Sequence, residues 1–280
     1  MTNTTYGVDF INLIVDTQNG IKNLLDKELK FDDTVDSWFF MSTPWPMLSI
    51  LTVYLLFVLK LGPELMQNRE PFKIKYIMMI YNLIQTIYNM YIVSHIFRVP
   101  GIASYLYTNA CHPVGNDDEF NFLFKVYYEQ SWHFFISKLL DLFDTVFFVL
   151  RKKQTHVSFL HVYHHVNMVI TIWTFLKFIK CHQGVPCGIL NATVHSIMYS
   201  YYFLSAFGPK MQKYLWWKKY LTRLQIIQFI IGLAYGTSLF IYDCTFPRLF
   251  SFYMILDVSL FLYLFLKFYK KTYNTNKKSQ

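Results

Sequence analysis

Long apolar runs alternate with short polar connections along most of the chain. Each run has roughly the 17–25 residues that an α-helix needs to cross the hydrocarbon core of a bilayer. The runs lie at residues 46–62, 76–97, 132–150, 157–179, 185–207, 219–242 and 248–269. The pattern predicts an all-α, polytopic membrane protein with about seven transmembrane helices in a lipid bilayer.

The composition fits a single membrane-embedded domain over residues 1–280, since 54% of the residues are hydrophobic and 20% are aromatic. We expect an N-terminal tail over residues 1–45 and a C-terminal tail over 270–280. The first residues lack the basic start and short apolar core of a cleaved signal peptide, so the first run is expected to act as an uncleaved anchor. The connection at 98–130 is too polar to span a bilayer and is expected to be a loop.

The net charge of +9 is concentrated on one set of connections. That set holds Arg69, Lys73, Lys75, Arg151, Lys152, Lys153, Lys210, Lys213, Lys218, Lys219, Lys270, Lys271, Lys277 and Lys278. The opposite set holds Arg98, Lys125, Lys180, Arg248 and three lysines of the N-terminal tail. Because basic loops stay in the cytosol, the N-terminus should be lumenal and the C-terminus cytosolic. The charge is thus a topology signal that can also attract an anionic substrate, and we expect no nucleic-acid partner.

All the cysteines, Cys111, Cys181, Cys187 and Cys244, fall on the non-cytosolic side of this topology. Disulfides persist in an oxidising lumen. We favour a bond between Cys111 and Cys244, although sequence alone leaves the connectivity open.

Two short signals fit the endoplasmic reticulum membrane. Asn3 begins an Asn-Thr-Thr glycosylation sequon on the lumenal side. The chain ends in "NTNKKSQ", with lysines at 277 and 278, a dilysine pattern read by retrieval receptors.

Ionisable side chains inside a span are costly, so they usually face the bundle interior and indicate function. The third run places Lys138, Asp141 and Asp144 on one helical face. The fourth contains "HVYHH", whose imidazoles at positions 161, 164 and 165 share a face.

Further polar side chains follow on the next two runs. The fifth run aligns Asn191, His195 and Tyr199, and the sixth carries Gln225 and Gln228. At a rise of about 1.5 Å per residue, these groups reach similar depths in the cytosolic half of the bilayer. The sequence therefore predicts one buried pocket that opens to the cytosol.

Three classes of function compete for such a pocket. An HxxHH box also occurs in membrane di-iron desaturases and hydroxylases, but those enzymes need several histidine boxes and this chain has one. A seven-helix receptor or transporter fits the helix count and leaves the histidines unexplained. The third class is acyl transfer within the membrane.

Four ordered segments resemble motifs of the elongases of very long chain fatty acids. These are "KLLDLFDT" (138–145), "HVYHH" (161–165), "NATVHSIMYSYY" (191–202) and "TRLQIIQ" (222–228). The resemblance covers nearly the whole chain. It departs at Asp141, where the family usually has glutamate.

The resemblance implies an acyltransferase that condenses acyl-CoA with malonyl-CoA, releasing carbon dioxide and CoA, to form 3-oxoacyl-CoA. Neither a metal ion nor another cofactor is expected. In such elongases the second histidine of the box is the proposed acyl acceptor, here His164, and His195 faces it. The family also suggests a homodimer and contact with the other enzymes of the elongation cycle.

Chemistry suggests roles for the remaining residues. His161 and His165 would orient the reacting imidazole or handle protons, and Asp141 and Asp144 would fix the tautomers of the box. Lys138 or Asn191 would stabilise the enolate oxygen. Tyr199, Gln225 and Gln228 would contact substrate, although structural roles for Asp141 and both glutamines stay open. Arg151, Lys152 and Lys153 would receive the CoA phosphates, and the bundle would enclose an apolar substrate tunnel for the acyl chain.

Overall fold

The computed structural model describes residues 33–113 and 118–274, which contain long helices and no strand. The long helices are α1 (Trp45–Met66), α2 (Lys75–Arg98), α3 (Asp118–Leu150), α4 (Phe159–Thr174), α5 (Val185–Ser205), α6 (Lys218–Ile241) and α7 (Arg248–Tyr269). A π-helical segment lies within α1 (Phe57–Leu61), and others extend α4 (Phe175–Ile179) and α7 (Lys270–Asn274). Each long helix overlaps one predicted span.

The structure corrects the limits of several predicted elements. The connection at 98–130 is largely helical, because it contains a short helix, Ile102–Thr108, and the first turns of α3. Polar residues there argue against a membrane span, yet they do not prevent a helix. The fifth helix ends at Ser205, before Gly208 with its φ of +98°, and α7 continues into the predicted C-terminal tail.

Six of the helices form a closed ring. Helix α2 packs along α3 on one side and along α5 on the other, while α6 packs between α5 and α7. Helix α4 packs along α3 and also touches α7, which closes the ring. The interior of this ring is the space in which a substrate tunnel is predicted.

Helix α1 lies outside the ring and packs on α3 and α4. Its Met47, Leu51 and Val58 join an apolar cluster with residues of those two helices. The Tyr54 hydroxyl lies 2.8 Å from Oγ1 of Thr145 on α3. Helix α1 therefore packs against α3 and α4 and is not one of the six helices that surround the interior of the ring.

The outer surface is apolar, as a lipid-facing surface must be. Ile80, Ile84 and Ile87 on α2 are exposed, as are Ile227 and Ile231 on α6. By length and hydropathy, α1, α6 and the extended α7 qualify as membrane spans among the described residues. Helices α2 to α5 carry more polar side chains, and Gln85, Lys138, His165 and Asn191 are among those that are buried.

One end of the ring is joined by covalent and polar contacts. Cys111 and Cys244 form a disulfide in the structure, the pairing favoured from the sequence. Gln183 donates a hydrogen bond to the Cys111 carbonyl at 3.2 Å, and Nε2 of His182 lies 2.6 Å from the Asn109 carbonyl oxygen. Asn3 and the two lysines at 277 and 278 lie outside the described residues.

Candidate active site

A cavity of about 190 Å³ lies inside the ring, and all six ring helices contribute to its wall. Its lining is mainly apolar and includes Phe134, Met168 and Phe261. His164, Asn191 and Gln228 lie at one end. An apolar cavity with a few converging polar groups is the usual form of a binding site.

The start of α4 places one imidazole of the histidine box in the wall of this cavity. Ser158 caps the helix, its side chain accepting a hydrogen bond from the His161 amide at 3.3 Å. His164 lines the cavity, whereas His161 and His165 pack against each other with ring centroids 4.4 Å apart. Nδ1 of His164 has no hydrogen-bond partner among the described residues. His164 is thus the member of the box placed to meet a ligand.

His195 on α5 lies beside His164, and the two ring centroids are 6.5 Å apart. Nδ1 of His195 is 3.3 Å from Nζ of Lys138 and 3.3 Å from Oδ2 of Asp141. Nδ1 either accepts from the ammonium group or donates to the carboxylate, and both arrangements occupy this nitrogen. The other ring nitrogen, Nε2, is therefore the one left for a reactant.

Asp141 is the centre of a buried polar network. Its carboxylate accepts a hydrogen bond from Lys138 at 3.0 Å, and another from Gln85 on α2 at 2.5 Å. It also accepts one from the Tyr199 hydroxyl at 2.8 Å. The network joins three helices and holds Asp141 ionised, because so many donors surround it.

Tyr199 bridges the two carboxyl groups of α3. Its hydroxyl oxygen lies 2.8 Å from Oδ1 of Asp141 and 2.7 Å from Oδ2 of Asp144. A hydroxyl has one proton and can donate it to only one carboxyl group. One of the two carboxyl groups must therefore be protonated and donate to the Tyr199 oxygen. Asp144 has fewer donors around it than Asp141, so Asp144 is the one that we assign as protonated. Asp144, Tyr199 and Asp141 therefore form a short chain along which a proton can pass.

The structure places several predicted site residues differently from the expectation. Tyr199 is fully buried in the network, not in the cavity wall, because its hydroxyl is held by two carboxyl groups. The carboxylate of Asp141 contacts His195, and Asp144 contacts Tyr199. Among the described residues, neither carboxyl group makes a hydrogen bond to an imidazole of the box. Gln225 points at Met198, with Nε2 3.6 Å from its sulfur.

Asn191 and Gln228 do line the cavity, as predicted. Asn191 is 7% exposed, and its Oδ1 atom has no partner among the described residues. Its side-chain amide is a better placed donor for a substrate oxygen than Lys138, whose ammonium group is held by Asp141 and His195.

The three basic residues after α3 do not act alike. Nζ of Lys152 donates to the carbonyls of Gln67 and Arg69, at 3.1 Å and 2.9 Å. This ammonium group therefore holds the α1–α2 connection. Arg151 and Lys153 are exposed and remain available to an anionic ligand.

Two parts of the site were not predicted from the sequence. Gln85 is one of three buried amides on α2, with Asn82 and Asn89, and their spacing on one face was a usable signal. Asp257 on α7 lines the cavity and accepts hydrogen bonds from Tyr163 at 3.1 Å and Asn167 at 2.9 Å. This carboxyl group links α7 to α4 across the junction that closes the ring.

A di-iron centre requires several imidazole and carboxylate ligands held close together. Among the side chains that the structure describes, no group of three or more His, Cys, Asp or Glu has a geometry that could hold a metal ion. The donor set that the oxidase alternative requires is not formed by these residues.

Comparison with known proteins agrees with the motifs. The sequence model of the GNS1/SUR4 family matches residues 39–280. Very long chain fatty acid elongase 4 of Homo sapiens is 45% identical over 249 residues, which cover 88% of this chain and 77% of that protein. Very long chain fatty acid elongase 7 of Drosophila melanogaster is 37% identical over 269 residues, which cover 95% and 78%. With a family match over most of its length and relatives of this similarity, the chain belongs to the GNS1/SUR4 family.

Proposed function

We propose that the protein is a very-long-chain 3-oxoacyl-CoA synthase, which condenses acyl-CoA with malonyl-CoA in fatty acid elongation. One observation carries the mechanism: among the imidazoles of the box, His164 is the one that lies in the wall of an apolar cavity. The cavity can hold the acyl chain while that imidazole reacts with its thioester.

In the first half-reaction, an unprotonated ring nitrogen of His164 attacks the thioester carbonyl. The N–C bond forms, the C–S bond breaks and CoA leaves as its thiolate, which takes up the proton lost from the imidazole. Covalent transfer of this kind divides one difficult step into two easier ones.

In the second half-reaction, malonyl-CoA loses carbon dioxide and becomes an enolate. The enolate carbon attacks the acyl-imidazole, so that a C–C bond forms and the C–N bond breaks. His164 then regains a proton. The net reaction consumes one proton, and no metal ion or other cofactor takes part in it.

The surrounding residues supply the proton and stabilise charge. Nε2 of His195 would exchange protons with the reacting groups, with Asp141, Tyr199 and Asp144 behind it. The amide of Asn191 would donate to the enolate oxygen, where a preorganised donor contributes about 3–4 kcal/mol. Arg151, Lys153 and the basic residues before α6 would receive the CoA phosphates.

The charge distribution and the disulfide support an arrangement in the endoplasmic reticulum membrane. The end with the Cys111–Cys244 bond would face the oxidising lumen, and the basic end would face the cytosol. A homodimer and contact with the other enzymes of the cycle remain proposals. Glycosylation of Asn3, and digestion of the C-terminus in sealed microsomes by added protease, would test this orientation.

Mass spectrometry of the purified protein, incubated with acyl-CoA and no malonyl-CoA, tests the mechanism. We expect an acyl adduct on the peptide that contains His164, which is discharged by malonyl-CoA and is lost in His164→Ala. His95→Ala is the matched control, because His95 also lines the cavity but lies towards its far end. No adduct in the wild type, despite turnover, would reject the covalent route.

A further inference from the structure

The far end of the cavity has polar groups that the proposed reaction does not use. Tyr127, Gln130 and Ser131 line it from one face of α3. Tyr127 is 3% exposed, and its hydroxyl group has no hydrogen-bond partner among the described residues. The Oε1 atom of Gln130 is likewise buried and without a partner among them.

These groups are remote from the reacting histidine. Tyr127 lies eleven residues before Lys138, the residue of α3 that contacts His195. At a rise of about 1.5 Å per residue, this separation is about 16 Å along the helix. An acyl chain of matching length that begins at His164 and follows the cavity therefore brings its terminal carbon, not its carbonyl group, near Tyr127.

The wall between the two ends is apolar and includes Phe134, Met168 and Ile172. The other tyrosine of the wall, Tyr235, already donates its hydroxyl proton to the Gln183 carbonyl at 3.0 Å. The free groups at the far end are thus a donor, from Tyr127, and an acceptor, from Gln130. An alcohol both accepts and donates a hydrogen bond, so it fits this pair.

We propose that Tyr127 and Gln130 form a subsite for a hydroxyl group at the ω end of the acyl chain, so that ω-hydroxyacyl-CoA is a substrate class of this protein. The proposal rests on the proposed function, since it takes His164 as the point at which the chain begins. A buried polar group without a partner favours any ligand that satisfies it, and a methyl-ended chain does not.

The test compares ω-hydroxyacyl-CoAs with unsubstituted acyl-CoAs over a series of chain lengths. The ratio of the two kcat/KM values should peak at one length, at about tenfold or more in favour of the hydroxylated chain, because the subsite lies at a fixed distance from His164. In Tyr127→Phe this peak should fall by about tenfold, with the unsubstituted chain as the internal reference. Tyr235→Phe is the matched control and should keep the peak.

The proposal would be overturned if the ratio of kcat/KM values did not peak at any chain length, or if Tyr127→Phe left the peak unchanged. In either case the partner of these groups would be bound water. The same comparison is also made by binding, as the thermal stabilisation of the purified protein by each acyl-CoA. Failure to condense the unsubstituted substrates would count against the proposed function instead, and the binding comparison would still decide the subsite.

Discussion

Nζ of Lys138 lies 3.3 Å from Nδ1 of His195, although the two residues belong to different helices. The same ammonium group is 3.0 Å from Asp141, and Lys138 is 2% exposed. A buried ion pair thus holds the ring of His195 beside His164. The position of the His195 ring therefore depends on a charged group that is buried from solvent.

Replacement of Lys138 by methionine should destabilise the protein by about 3–5 kcal/mol, because it leaves the Asp141 carboxylate buried without its cation. Thermal unfolding in detergent would measure this loss. The double variant Lys138→Met with Asp141→Asn should be more stable than Lys138→Met alone. If the losses of stability caused by Lys138→Met and Asp141→Asn simply add in the double variant, the loss of charge pairing is not what destabilises Lys138→Met.

Tyr199→Phe should slow the discharge of the acyl adduct by malonyl-CoA by about 100-fold, since proton transfer by a positioned group is worth roughly 10²–10⁴-fold. Formation of the adduct from acyl-CoA should change much less. Rapid-quench measurements of the two half-reactions would separate these effects. Tyr201→Phe is the control, because the Tyr201 ring packs against Trp217 and its hydroxyl group makes no hydrogen bond to Asp141 or Asp144. Equal slowing of both half-reactions would indicate a structural role for Tyr199.

Asp141 stands where the family usually has glutamate, and the neighbouring Gln85 reaches it at 2.5 Å. Asp141→Glu alone should overpack this site and cost about 1–3 kcal/mol. The double variant Asp141→Glu with Gln85→Asn moves one methylene from one side chain to the other, and it should recover most of the stability. A double-mutant cycle of unfolding free energies measures the coupling. Additive losses would show that the two side-chain lengths are independent.

Gly236 on α6 faces the cavity, where a Cβ atom would lie 3.9 Å from Ile255, at ordinary van der Waals distance. Alanine should therefore fit, while Gly236→Leu should project into the cavity and shorten the longest acyl-CoA that the protein elongates. Mass spectrometry of the products over a substrate series would measure the shift. Gly236→Ala serves as the control, and an unchanged length distribution in Gly236→Leu would place the acyl chain elsewhere.

The long helices could be predicted from the sequence because the bilayer fixes both their length and their polarity. The histidine box and the residues of α3 and α5 were found for the same reason, since ionisable groups are conspicuous among apolar neighbours. Spacing along one helix, however, tells only which residues share a face. It does not tell which neighbour that face meets.

Tyr199 shows this limit clearly. Its position on the same helical face as His195 suggested a substrate contact, but its hydroxyl group is hydrogen-bonded to Asp141 and Asp144. Lys152 shows the same limit. Its ammonium group was predicted to bind a CoA phosphate, but folding brings it to the carbonyls of Gln67 and Arg69. Asp257 was missed because it is a solitary carboxyl group, and its partners Tyr163 and Asn167 lie about 90 residues away in the sequence.

The ring has His164 near one end and the Cys111–Cys244 bond at the other. In the proposed reaction the carbonyl carbon always stops at His164, so each round of elongation moves the opposite end of the chain by the same two carbons towards the disulfide. The last round of elongation is then the one whose product still fits in the cavity. In that reaction, product length in this protein would be set by the fold itself, as the distance from His164 to the disulfide-bonded end of the ring.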